Sequence, residues 1–197
     1  MSGTLILLVG PSGSGKGTLM SYIRAHYAGL VYPTSWTTRA PRAGESDGVY
    51  SAAGKVYHFV SEEEFVAAKE KGEFLEWDHH FNNYYGTPAQ EVKSGLAAGH
   101  VVFQELEVRG VKQLLEKLPR EQIKIIFVTA GSWGELSRRI LSREAVSDDE
   151  LEKRRVRYEE EVLFASQADF VVINEEGKLE QTQHKLDEIM KEILAAK

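Results

Sequence analysis

The sequence predicts an α/β fold in which a parallel sheet is covered by helices on both faces. Near the N-terminus, the apolar run 4–9 is followed by a glycine-rich loop and then by a stretch with helical spacing. From residue 100 onward, short apolar runs alternate with helical segments, as in parallel sheets with crossover helices. Two segments, about 35–88 and 133–154, break this alternation. Insertions of this kind commonly carry a second substrate and a closing lid.

The individual elements follow from local signals. The predicted strands are 4–9, 100–104, 123–128 and 169–174, and the predicted helices are 16–27, 61–72, 88–98, 108–118, 132–143, 148–166 and 178–195. Ser61 is a good N-cap, and Glu64 completes a capping box with it. Residues 30–60 contain only short strand-like pieces, and the aromatic stretch 74–85 is compatible with either loop or strand.

Composition limits the classes of function. The chain has 197 residues, enough for one α/β domain with insertions, and its net charge of −6 argues against a nucleic-acid partner. It contains no cysteine, which excludes disulfides and thiolate chemistry. No apolar run reaches membrane-spanning length, and residues 1–9 lack the pattern of a signal peptide. We therefore expect a cytoplasmic protein without a membrane partner, whose oligomeric state the sequence leaves open.

The loop after the first strand is typical of a P-loop. Its glycines allow successive N–H groups to point inward, and the following helix N-terminus adds partial positive charge. Lys16 brings a full charge to the outer phosphates of a nucleotide. Gly17 stands where the general pattern has Ser or Thr, so Thr18 is the candidate for Mg²⁺. The predicted ATP-binding set is Gly10, Pro11, Ser12, Gly13, Ser14, Gly15, Lys16, Gly17 and Thr18.

A second anion site is predicted around two arginines. Arg39 and Arg42 are three residues apart with Pro41 between them, which makes a rigid pair suited to a phosphate. A surface turn with two solvated arginines would explain this stretch if it stood alone. Beside a P-loop, the pair instead indicates a second phosphate-bearing substrate.

These motifs together resemble those of the guanylate kinases. The resemblance rests on the P-loop, TTRAPRAGE at 37–45, YHFV at 57–60, FLEW at 74–77, NYYGT at 83–87 and an arginine-bearing lid. They occur in family order over nearly the whole chain. The resemblance implies a core of 1–34 and 89–197 that includes a lid at about 133–154, and a GMP-binding insert at 35–88. It further implies that ATP and GMP are converted to ADP and GDP with Mg²⁺.

The resemblance also implies roles for single residues. The implied GMP-binding residues are Ser35, Arg39, Arg42, Tyr57, Glu76, Tyr85, Thr87 and Glu105, and the implied catalytic residues are Lys16, Arg39, Arg139, Arg143 and Arg154. Asn174 resembles the position whose backbone flanks adenine. Guanine chemistry supports the role of Glu76 independently, because N1–H and N2–H form adjacent donors that a carboxylate can accept and adenine lacks this pair.

The chain departs from the family pattern in several places. Glu105 and Glu107 stand where the family usually has two aspartates, so the contacts of these acids must shift by one methylene. Glu144 replaces the glycine that usually follows the lid arginine. An apparent insertion at 49–55 leaves Tyr50 and Tyr57 both open as the tyrosine near the GMP phosphate, with Tyr57 favoured.

The remaining lid arginines are expected to be solvated on a helix face; they are Arg138, Arg155 and Arg157. Two other functions compete with guanylate kinase. One is a P-loop kinase acting on a phosphorylated sugar, which would not need a guanine-binding acid. The other is a non-catalytic protein-binding module, which would tend to lose the P-loop and lid residues.

Overall fold

The computed structural model describes residues 3–42, 44–49, 57–80, 82–143 and 146–196, without the side chains of His80 and Arg143. The strands are β1 (Thr4–Val9), β2 (Ser35–Thr37), β3 (Tyr57–Phe59), β4 (Phe74–His80), β5 (Asn83–Pro88), β6 (Val101–Leu106), β7 (Ile123–Thr129) and β8 (Phe170–Ile173). The α-helices are α1 (Lys16–His26), α2 (Glu62–Glu70), α3 (Ala89–Ala97), α4 (Val108–Leu115), α5 (Trp133–Arg143), α6 (Asp148–Leu163) and α7 (Leu179–Ala195). Short 3₁₀ helices lie at Arg120–Gln122 and Phe164–Gln167.

The main sheet consists of parallel strands in the order β6-β1-β7-β8. On the outer side of β6, Val31 forms one isolated parallel bridge to Val102 of that strand. The central strand β1 is apolar along its length because both of its faces are buried, with Leu5 and Leu7 packing on one side and Ile6 and Leu8 on the other. The predicted parallel sheet covered by helices is therefore confirmed.

A second, mixed sheet is formed by the chain between residues 35 and 88, in the order β3-β2-β5-β4. Its core contains Phe65 of α2 and Phe74 of β4, whose rings stack with centroids 4.5 Å apart. Residues 74–80 and 83–85 of the aromatic stretch thus lie in strands β4 and β5. Gln113 of α4 connects this sheet to the main core, since its side chain exchanges hydrogen bonds with the backbone N–H and carbonyl of Trp77.

Most helix boundaries follow the local signals. Ser61 and Glu64 form the capping box of α2, with both reciprocal hydrogen bonds present. Two helices end about three residues earlier than predicted: α4 ends at Leu115, and α6 ends at Leu163 before a 3₁₀ turn. Apolar spacing cannot separate the last α-helical turn from a 3₁₀ turn, because both place apolar residues on the buried side.

Among the residues that the structure describes, no helix is long and apolar enough to cross a membrane. The cytoplasmic location and the boundaries of the core, insert and lid remain predictions.

Candidate active site

One cleft of about 940 Å³ runs between the P-loop and the second sheet. At one end it is lined by the loop residues Gly13 and Lys16, and at the other by Glu76 and Glu107. We call these the P-loop end and the acidic end; the acidic end comprises Glu76, Asp78, Glu105 and Glu107. The volume is in the range of small-molecule sites in proteins.

The P-loop has the backbone conformation that its glycines were expected to provide. Gly10, Gly13 and Gly15 all have positive φ, with values of 147°, 87° and 94°. A side chain at Gly10 would place its Cβ 1.9 Å from the carbonyl oxygen of Val128 on β7. Close approach of the loop to the sheet therefore requires glycine at this position.

Lys16 is the first residue of α1, and its buried side chain folds over the loop. Its Nζ donates to the carbonyl oxygens of Gly10 at 2.6 Å and Pro11 at 3.0 Å. These bonds hold the ammonium group at the mouth of the loop, where the outer phosphates of a nucleotide would arrive.

Asn174, directly after β8, supports the P-loop through its side chain. Its Nδ2 donates to the carbonyl of Ser14 at 2.9 Å, and its Oδ1 accepts from the hydroxyl of Thr182. Its backbone N–H donates to the carbonyl of Thr129, and its carbonyl accepts from Arg139 at 2.7 Å. Asn174 lines the cleft, and its side chain supports the P-loop, a role that the sequence did not indicate.

At the acidic end, Glu76 of β4 is only 6% exposed. It accepts a hydrogen bond from the hydroxyl of Thr87 on β5 at 2.5 Å. A Cβ at Gly110 of α4 would lie 2.6 Å from Glu76 Oε2, so glycine leaves the room that this carboxylate occupies. The predicted pair of Glu76 and Thr87 is therefore brought together by adjacent antiparallel strands.

The environment of Glu76 makes ionisation difficult. Burial is the main reason that the pKa of Glu76 is raised, to about 7. The negative charges of Asp78 and Glu107 also raise this pKa, whereas the Thr87 hydroxyl and the Lys117 ammonium group lower it. A ligand that donates hydrogen bonds to the carboxylate would favour its ionised form.

The predicted arginine pair also lines the cleft. The Arg39 guanidinium donates to Glu45 at 2.9 Å, and the backbone N–H of Arg42 donates to the same carboxylate oxygen at 2.8 Å. Partial burial opposes ionisation of Glu45, but the Arg42 N–H and the Arg39 guanidinium together lower its pKa. Glu45 thus takes the place of an anion on the Arg39 guanidinium and the Arg42 backbone N–H, a role that sequence reasoning missed.

Aromatic and hydroxyl side chains complete this wall. The Arg39 guanidinium carbon lies 5.5 Å from the ring centroid of Tyr57, which in turn is 6.3 Å from the ring of Tyr85. The Ser35 hydroxyl accepts a hydrogen bond from Gln104. Tyr50 and the insertion at 49–55, apart from the exposed Val49, lie outside the described residues.

The predicted lid arginines occupy different environments. Arg139 of α5 lines the cleft and also donates to Glu135 on its own helix. The Arg154 guanidinium pairs with Glu150, one turn away on α6, and does not line the cleft. The side chain of Arg143 lies outside the part that the structure describes.

Of the three arginines expected to be solvated, Arg138 and Arg155 form exposed ion pairs. The expectation is wrong for Arg157, whose half-buried side chain pairs with Glu107 at the acidic end. Local sequence patterns could not indicate this pair, because its members are 50 residues apart.

The residues at the P-loop end fit a magnesium ion that arrives with a nucleotide. Thr18 is exposed on the cleft wall, two residues after Lys16 in the first turn of α1. Among the residues that the structure describes, no three His, Asp or Glu side chains form a cluster able to hold a metal. Mg²⁺ in kinases commonly relies on substrate phosphates and water for most of its ligands. A hydroxyl beside a P-loop is compatible with that mode.

The fold and this cleft define a P-loop nucleotide-binding protein with a second substrate region. A family profile described as guanylate kinase matches residues 2–193. The chain is 41% identical to a guanylate kinase of Halalkalibacterium halodurans over 90% of this chain and 83% of that protein. It is 40% identical to one of Desulfitobacterium hafniense over 88% of this chain and 83% of that protein. The chain belongs to the guanylate kinase family.

A solved structure supports the same assignment. The crystal structure of guanylate kinase from Anaplasma phagocytophilum matches with a TM-score of 0.70 and 26% identity, covering 96% of this chain and 85% of that one. The roles of the individual site residues remain predictions.

Proposed function

We propose that the protein transfers the γ-phosphoryl group of ATP to GMP, giving ADP and GDP, with Mg²⁺ bound to the nucleotide. The observation that carries this proposal is the buried Glu76–Thr87 pair in the same cleft as the P-loop lysine. The pair offers a carboxylate and a hydroxyl to a base, and Lys16 meets the phosphates. A phosphorylated sugar has no adjacent pair of N–H donors to match this buried carboxylate.

The residues divide the work between binding and transfer. Glu76 accepts the N1–H and N2–H of guanine, and Thr87 holds the carboxylate through its hydroxyl. Arg39 and Arg42 bind the GMP phosphate in place of Glu45, with Tyr57 and Tyr85 alongside them. Ser35 and Glu105 also line the cleft and complete the GMP site.

At the P-loop end, the loop N–H groups hold the ATP phosphates, and Asn174 keeps the loop in register. Lys16 and Arg139 stabilise charge on the transferred group, since phosphoryl transfer depends mainly on positioning and electrostatic stabilisation. Thr18 would hold Mg²⁺, which neutralises phosphate charge when it is bound. Arg143 and Arg154 join the site when the lid closes over both substrates.

An acceptor panel tests the proposal. ADP formation is measured with ATP, Mg²⁺ and, in turn, GMP, AMP and ribose phosphates. We expect turnover with GMP, little with AMP and none with the sugars. Turnover with a ribose phosphate would identify the sugar kinase instead. Absence of turnover together with tight GMP binding would indicate the binding module.

A further inference from the structure

Arg157 forms a link between the lid side of the molecule and the acidic end of the cleft. It lies on α6, and its guanidinium donates from Nε to Glu161 at 3.1 Å and from its terminal nitrogen to Glu107. Glu107 belongs to the segment that directly follows β6. The side chains of Arg157 and Glu107 are 29% and 33% exposed, so this pair is partly shielded from water.

The charges around Glu76 explain why a cation is needed here. Asp78 on the same strand and Glu107 after β6 both bring negative charge close to Glu76. The cations that compensate them come from two elements: Lys117, which follows α4, and Arg157 on α6. Although burial opposes it, Glu107, Glu161 and Asp78 raise the pKa of Arg157, so the guanidinium interacts with all three acids.

The second acid bound to Arg157, Glu161, is buried and electrostatically coupled to the P-loop lysine. Glu161 is only 7% exposed. Burial and the charge of Glu107 raise the pKa of Glu161, whereas Arg157 and Lys16 lower it. Arg157 therefore bridges two acids, Glu161 on its own helix and Glu107 after β6. Within the described residues, it is the side chain of α6 that pairs directly with the acidic end.

We propose that Arg157 is a positioning residue for the acidic end of the cleft. From helix α6, it holds Glu107 in place and neutralises the charge of Glu107 beside Glu76. It acts through Glu107 and does not itself contact the substrate. The inference rests on the proposed function, because guanine is the ligand that Glu76 accepts.

The consequence is a change in the pH dependence of GMP use. Removal of the Arg157 charge leaves Glu107 uncompensated, and a nearby like charge makes ionisation of Glu76 harder. We expect the acid limb of kcat/KM for GMP to move to higher pH by about one unit. With a starting pKa of about 7, kcat/KM at neutral pH would fall about fivefold and recover almost fully about two units higher.

The experiment compares pH profiles of kcat/KM for GMP, at saturating ATP, in wild type and four variants. Arg157→Met removes the charge, and Arg157→Lys retains it and should keep the acid limb near that of wild type. Arg155→Met is the matched control, since Arg155 lies on the same helix in exposed pairs with Glu152 and Glu159. Glu107→Gln removes a negative charge beside Glu76, while Arg157 keeps its pair with Glu161, and the acid limb should move to lower pH.

The outcomes separate the inference from the proposed function. Wild type that does not turn over GMP removes the function itself. If wild type turns over GMP but Arg157→Met has the same acid limb as Arg155→Met, the positioning role is overturned. A purely structural role for Arg157 would lower kcat/KM by the same factor at every pH. If Arg157→Met does not fold, the shift of Glu107→Gln to lower pH decides the question, and an unmoved limb in that variant overturns the proposal.

Discussion

Replacement of Glu76 by glutamine should make the protein more stable and less able to use GMP. The carboxyl group is 6% exposed, and its folded-state pKa of about 7 lies above the ordinary value of 4.5. Folding favours the neutral carboxyl of Glu76. The contribution of Glu76 to the free energy of unfolding is therefore fully present below its unfolded pKa and is lost as pH rises through about 7. The difference of about 2.5 units corresponds to about 3 kcal/mol above that pH.

Glutamine removes this penalty because it does not ionise, and its carbonyl can still accept from Thr87. The free energy of unfolding of Glu76→Gln should exceed that of wild type by up to about 3 kcal/mol at pH about 8, and the difference should shrink toward pH about 5. In the same variant, an amide N–H faces the guanine donors. We expect kcat/KM for GMP to fall by about 10²–10³, with KM for ATP little changed.

Denaturant unfolding at both pH values and steady-state kinetics test both halves of this prediction. Glu160→Gln is the matched control, because Glu160 is an exposed acid on α6. Its unfolding free energy should follow wild type at each pH. A Glu76→Gln protein that is destabilised equally at both pH values, or that retains wild-type preference for GMP over AMP, would refute the reasoning.

Three further predictions concern the P-loop end. Lys16→Ala should fold but lose about 10²–10³ in kcat, and near-wild-type turnover would exclude Lys16 from the mechanism. Asn174→Ala should lower the free energy of unfolding by about 1–3 kcal/mol and raise KM for ATP more than KM for GMP; equal changes would contradict its role as a brace. Gly10→Ala should lower the free energy of unfolding by at least about 3 kcal/mol, measured by thermal or denaturant unfolding. Gly29 is the matched control, because it also has a positive φ but an added Cβ would meet no atom within 4 Å. Gly29→Ala should therefore lower the free energy of unfolding by only about 1–2 kcal/mol. Similar costs at the two glycines would show that the contact with Val128 is relieved cheaply.

The features that could be predicted from the sequence are those specified by neighbouring residues. A buried strand, a glycine loop and a lysine at a helix start lie within fifteen residues of one another, so the P-loop is readable from order alone. The capping box at Ser61 is equally local. Glu76 and Thr87 are eleven apart, and the hairpin of β4 and β5 makes them neighbours.

The features that could not be predicted depend on contacts between distant segments. Arg157 and Glu107 are 50 residues apart, and helical spacing predicts partners for Arg157 only on its own helix. The amide of Asn174 reaches a loop 160 residues earlier. Arg154 shows the converse: an acid four residues before it provides a local partner that competes with a role in the cleft.

The central claim, direct transfer between two bound nucleotides, is tested most directly by following the phosphoryl group itself. The protein is incubated with Mg²⁺, GMP and ATP labelled in its γ-phosphate, and the products are separated. The account predicts that the label appears in GDP and that GDP and ADP form in equal amounts. Label recovered as inorganic phosphate, or ATP left intact while GMP is bound, would contradict it.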